Sequence, residues 1–166
     1  MRKGPANPSD SLSAAGCRVG LAVSQYNAAI TESLRAGAVE EFARLGGSPS
    51  DLLVAPAPGA FELPIVARAL VHSGDCDAVV ALGCLIKGET PHDRIIADAV
   101  AHGLTHIALE TGVPVLFGVL TVDSIEQARA RSGGALGNKG AQTMTAAIET
   151  IHTLSLIARN AAPARS

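Results

Sequence analysis

Four short apolar runs, each followed by a stretch of helical periodicity, divide the chain between Cys17 and Arg159. The runs are Cys17–Val23, Asp51–Ala55, Ala78–Ile86 and Val115–Leu120. After the first, Ile30, Leu34, Ala38, Phe42 and Leu45 recur at three-to-four spacing, predicting a helix from about Ala28 to Leu45 with one buried face. Gly46-Gly47 ends it. A second helix is expected at roughly Glu62–His72, after Pro56-Ala57-Pro58-Gly59. A third is expected over Asp93–Leu109, with Ile96, Ala99, Val100, Gly103, Leu104 and Ile107 on one side. Asp123 and Ser124 stand before Glu126 and Gln127 at capping-box spacing, so a short helix starts there and Gly133-Gly134 breaks it. Asn138 can cap a final helix from Lys139 to about Arg159, before Pro163. Strands separated by helices, without hairpin signals, imply parallel pairing and right-handed crossovers. The expected architecture is α/β: a three-layer α/β/α sandwich on four parallel strands in the order 2-1-3-4.

The 166 residues fit one domain, expected over 17–159, with a flexible arm at 1–16 and a tail at 160–166. A chain 48% hydrophobic and 17% charged is not a disordered one. The net charge of −2 gives no reason to expect nucleic acid or an anionic membrane as partner. No apolar stretch approaches the roughly 20 residues that cross a bilayer. The first sixteen residues lack the continuous apolar segment of a signal peptide, so a cytoplasmic protein is expected. Cys17, Cys76 and Cys84 show no metal-ligand spacing, and buried reduced thiols are expected at Cys17 and Cys84. So little charge on a small domain suggests that part of its surface is hidden in an oligomer.

The third run stops abruptly at Lys87-Gly88-Glu89-Thr90-Pro91-His92-Asp93 before a helix begins. Backbone amides, a hydroxyl and an imidazole thus gather past the carboxyl end of a buried strand, where open α/β sheets bind ligands. A helix start suits phosphate, and a histidine beside it can move protons near neutral pH. The same residues also read as a plain loop with His92 an exposed passenger; this segment alone does not separate the two. Only four aromatics occur. Phe42 lies on the first helix's stripe and Phe117 within the fourth run. Tyr26 and Phe61 fall near strand ends, where they either anchor loops or meet a flat ligand.

Taken in order, several segments resemble lumazine synthase. They are Ser24-Gln25-Tyr26-Asn27, Pro58 through Pro64, Ala81 through His92, Pro114 through Thr121, Glu126-Gln127-Ala128 with Arg131, and Gly137-Asn138-Lys139-Gly140. The likeness runs from about Arg18 to Leu154. It implies a flavodoxin-like sheet and the joining of an amino-ribitylamino-pyrimidinedione to dihydroxybutanone phosphate, giving dimethyl-ribityllumazine with loss of phosphate and water. It implies no metal or organic cofactor. Both substrates are reactive already, so holding them in a productive orientation can supply much of the rate.

By the same resemblance, Tyr26 would stack on the pyrimidine, with Asn27 beside it as a substrate contact. Ala60 and Phe61 would offer backbone contacts, and Glu62 would accept from ribityl hydroxyls. Cys84, Leu85 and Ile86 would meet the ring's polar edge through their peptide groups. Gly88, Glu89 and Thr90 would hold the phosphate, with Arg131 as counter-charge, and His92 would carry protons. Phe117, Arg131 and Lys139 would reach the site from the adjacent subunit of a pentamer. Glu62 and Lys139 also read as helix-terminal charges, Phe117 as sheet core and Arg131 as a surface residue. Three positions depart from the family's pattern: Tyr26 replaces phenylalanine or tryptophan, Pro91 a frequent threonine, and Asp93 an aromatic. Asp93 either caps the helix or favours protonated His92. The compact join Arg131–Lys139 resembles that of members whose pentamers close into an icosahedral shell, so a shell is expected, with an isolated pentamer or a decamer as the alternative. Two rivals stand beside this reading: a shell protein that binds such a ligand without turnover, and an unrelated monomeric flavodoxin-like module.

Overall fold

A computed structural model describes residues 12–161. Its strands are β1 (Val19–Ser24), β2 (Leu52–Ala57), β3 (Ala78–Ile86) and β4 (Val115–Val122), all parallel in the order β2-β1-β3-β4. Helices α1 (Ala28–Arg44), α2 (Leu63–His72) and α3 (His92–Thr111) connect them in turn, and α4 (Ile125–Arg131) and α5 (Lys139–Ala161) follow β4. The expected fold class and strand order therefore hold. The expected stop at Pro163 lies outside the described residues, as does most of the 1–16 arm.

The two-residue period of the central strands sorts the core into two layers. Val19, Leu21 and Val23 of β1, with Ala78, Val80, Leu82 and Cys84 of β3, pack against Ile30, Leu34, Ala38 and Phe42 of α1 and Met144, Ala147 and Ile148 of α5. Ala22, Val79, Ala81 and Leu85 face the other way, onto Leu63, Ala67 and Leu70 of α2 and Val100, Leu104 and Ile107 of α3. β3 is buried on both faces along almost its whole length, which is why it reads as an unbroken apolar run.

This layering creates a switch point. β1 leads through α1 to β2 on one side, whereas β3 leads through α3 to β4 on the other, with α1 and α3 on opposite faces. A crevice opens where neighbouring strands send their connections apart, at the carboxyl ends of β1 and β3.

Several boundaries differ from expectation. β2 continues through Pro56 and Ala57, because an edge strand can carry a proline whose missing N–H would face outward. α3 begins at His92, so Asp93 sits in its first turn instead of capping it, and Ala99 is exposed. Ser132–Gly134 (β5) and Gly137–Asn138 (β6) form a small antiparallel ribbon where only a helix break was expected. Two or three residues per strand are too few to show a period. Ser124 does cap α4, accepting from the Gln127 amide at 3.3 Å, while Gln127 Oε1 accepts from the Asp123 amide at 2.9 Å. Asn138 caps α5, its Oδ1 accepting from the Gly140 and Ala141 amides at 2.8 and 3.3 Å.

Candidate functional site

Three strand-to-helix turns meet over the switch point. They wall a cavity of about 790 Å³ lined by Tyr26 and Asn27 after β1, Gly59 through Glu62 after β2, and Cys84 through Ile86 with Gly88, Thr90 and His92 after β3. Asp93, Ile95 and Ile96 of α3 complete it.

Each turn is held by its own local chemistry. The Gln25 amide donates to the Ala57 carbonyl at 2.8 Å, tying the β1 turn to the end of β2. Tyr26 then stands free with 70% of its surface exposed. Ala60–Glu62 forms one 3-10 turn before α2, burying Ala60 and leaving Phe61 61% exposed. Two largely exposed aromatic side chains therefore line one cleft, an arrangement that leaves apolar faces open to a flat ligand. Cys84 is buried, and burial pushes its thiol up to about 11, so it stays neutral and unreactive near pH 7.

The turn after β3 supplies the polar end. Helix α3 opens at His92 with no side chain capping its first amides, leaving their positive end directed at Gly88–Thr90. Glu89 lies outside the main cavity. With Gly88, Thr90 and Asp93 it lines an adjoining depression of about 360 Å³ that also includes Lys87 and Arg94. The Lys87 ammonium lies 3.9 Å from Asp123. His92 is exposed on the cavity wall.

The structure thus brings together Tyr26, Asn27, Ala60, Phe61, Glu62, Cys84, Leu85, Ile86, Gly88, Thr90 and His92. It does not bring Phe117, Arg131 or Lys139 into the cavity of their own chain. Phe117 is on edge strand β4 and 38% exposed, Arg131 ends α4, and Lys139 starts α5. Ile95 was missed as a wall residue; an isoleucine off the buried stripe of α3, and 63% exposed, was its sequence signal. Among the described residues, no group of three or more His, Cys, Asp or Glu is gathered that could hold a metal ion, and no helix is long and apolar enough to cross a membrane.

Residues 16–155 match the family described as 6,7-dimethyl-8-ribityllumazine synthase. Proteins of that name from two strains of Thermus thermophilus are each 48% identical over 155 residues, covering 93% of this chain and 99% of their own.

Proposed function

The chain belongs to the 6,7-dimethyl-8-ribityllumazine synthase family, and from that premise we propose how its residues share the family's reaction. It is a transferase of riboflavin biosynthesis, condensing 5-amino-6-ribitylamino-pyrimidinedione with 3,4-dihydroxy-2-butanone 4-phosphate. The observation that carries the assignment of roles is one cleft lined by three turns, two of which supply Tyr26 and Phe61 while the third runs into the uncapped start of α3.

The pyrimidine lies against Tyr26, its polar edge along the Cys84–Ile86 peptides and its ribityl hydroxyls toward Glu62. The phosphate sits at Gly88–Thr90, where uncapped amides of α3 favour an anion. This seats the pyrimidine's amine against the ketone of the second substrate. Attack of the amine on the ketone forms one C–N bond and releases a water as the imine forms. The phosphate then leaves as its C–O bond breaks, and attack of the ribitylamino nitrogen on the remaining carbonyl closes the ring with loss of a second water. Each step moves a proton, and His92 stands between the two substrates to carry it. Orientation of two reactive molecules supplies much of the acceleration. Domain limits at 17–159 follow from the same reading.

Arg131, Phe117 and Lys139 complete the site from a neighbouring subunit. Their placement outside the cavity of their own chain supports this, because no arginine or lysine of that chain lines the main cavity. The assembly is a ring of five, closing further into a shell. The tight β5–β6 ribbon, which keeps the α4–α5 join short, supports the shell. Free thiols at Cys17, Cys76 and Cys84 suit the reducing cytoplasm. No feature of the cleft favours binding without turnover.

Mixing the purified protein with both substrates and following lumazine fluorescence tests the assignment. Product formation is expected; a protein that binds neither substrate overturns it.

A further inference from the structure

Asn27 breaks a local rule. Asparagine at a helix N-cap normally keeps an extended backbone and turns its side-chain oxygen onto the first free amides. Asn27 precedes α1 with φ 57° and ψ 48°, and its side chain makes no capping bond. Among the described residues it is the one non-glycine with positive φ. Such a departure is found where the surrounding structure enforces it, often at a functional site.

Its amide is engaged elsewhere. Asn27 Nδ2 donates to the Cys84 carbonyl at 2.9 Å, 57 residues away in sequence. The β1–β3 ladder ends at the Val23–Leu82 pair, two residues before Cys84. The Cys84 carbonyl therefore lies past the last ladder rung from β1, and the asparagine side chain takes the missing strand's place. Its own backbone carbonyl meanwhile accepts from the Ile30 and Thr31 amides at 2.9 and 3.1 Å, starting α1. One residue so joins β1, α1 and β3 across the floor of the crevice, adjacent in sequence to Tyr26.

We propose that Asn27 is a positioning residue: its amide clasps the end of β3, fixing the Cys84–Ile86 edge that meets the heterocycle, while its left-handed backbone aims Tyr26 at the ring's face. This rests on the substrate placement proposed above. It changes Asn27 from a direct substrate contact, as the family resemblance implied, to a residue acting through its neighbours.

Two variants test it. Asn27→Gly tolerates positive φ but has no amide; Asn27→Asp keeps the shape but cannot donate. Hydrogen exchange of the ligand-free protein should quicken several-fold in peptides spanning residues 82–88 in both. Affinity for dimethyl-ribityllumazine, titrated by fluorescence, should fall about tenfold, the effect of stripping a buried carbonyl of its partner. The KM for the phosphorylated substrate should stay within about twofold, because the phosphate turn is held separately by the start of α3. Reduced affinity with wild-type exchange would mean that Asn27 touches the ligand directly, and overturns the proposal. Faster exchange with unchanged affinity reduces Asn27 to a structural tie, and overturns it too. Wild-type protein that fails to bind the lumazine overturns the underlying substrate placement instead, a result separable from either.

Discussion

Under the proposed assignment, Arg131 and His92 answer to different terms in the rate. A guanidinium closing on phosphate acts mainly through binding, so Arg131→Ala should raise the KM for the phosphorylated substrate by about tenfold. His92→Ala should lower kcat by about ten- to a hundredfold and leave KM nearly alone, because the orientation that the cleft provides survives. Steady-state kinetics on each substrate separates the two; an unchanged KM in Arg131→Ala removes arginine from the phosphate site. Another residue, Glu41, bears on stability. Glu41 accepts from Arg44 Nε and Nη2, both at 2.7 Å, and from the Thr145 hydroxyl at 2.6 Å. The Arg44 bond, more than the opposing burial or the Thr145 bond, holds its carboxyl below the usual glutamate range. A depressed carboxyl stabilises the fold above the unfolded-state value and loses that contribution as the pH falls through its own lower one. Melting between pH 3 and 7 should therefore decline less steeply in Glu41→Gln than in the native chain. Added salt should shrink the difference only in part, since Arg44 is exposed and screened while the Thr145 bond is not.

The α1–α5 contact is the element on which small residues matter most. A side chain on Gly140 would strike the Leu34 carbonyl, and one on Gly37 would strike the Asn138 amide. That amide donates to the Ser33 carbonyl at 2.9 Å while its oxygen caps α5, so the helices approach backbone to backbone around Asn138. Gly140→Ala should cost about 2 kcal/mol through overpacking, read as a lower urea midpoint with an unchanged slope. Asn138 was legible as a cap from its place before Lys139. Its hold on Ser33 was not, because a cap motif says nothing of what lies across the helix interface. Element limits followed the same division. The apolar run Ala78–Ile86 matches β3 to the residue because burial on both faces leaves no polar interruption. The run ending at Ala55 stops short of the end of β2 at Ala57, since proline is a breaker everywhere except at an edge.

On the scale of the molecule, one chain leaves much apolar surface open. Leu53 and Val54 on edge strand β2, Ile65 on α2, Leu109 at the end of α3, and Leu154, Leu156 and Ile157 on α5 are all at least 41% exposed. Water does not favour that arrangement, and subunit contact would relieve it. Light scattering should accordingly give a mass well above the 16.8 kDa of the chain. A pentamer without larger species argues against the shell, and a monomer removes the shared site altogether. Mixing Arg131→Ala with His92→Ala subunits should restore some activity, because interfaces between the two types then include sites with both native residues.

Periodicity and turn chemistry are local, and this chain displays them openly: the alternation of strand and helix, the turns that follow the strands and the family likeness could all be read from neighbours a few positions apart. Distances across the sheet are not local. That Asn27 reaches Cys84 instead of capping its own helix, that Glu89 falls into a side depression, and that Phe117, Arg131 and Lys139 stand clear of their own cleft depend on where the β1 ladder ends and how α4 and α5 pack. Those are outcomes of close packing among side chains far apart in the chain, which no spacing along it encodes.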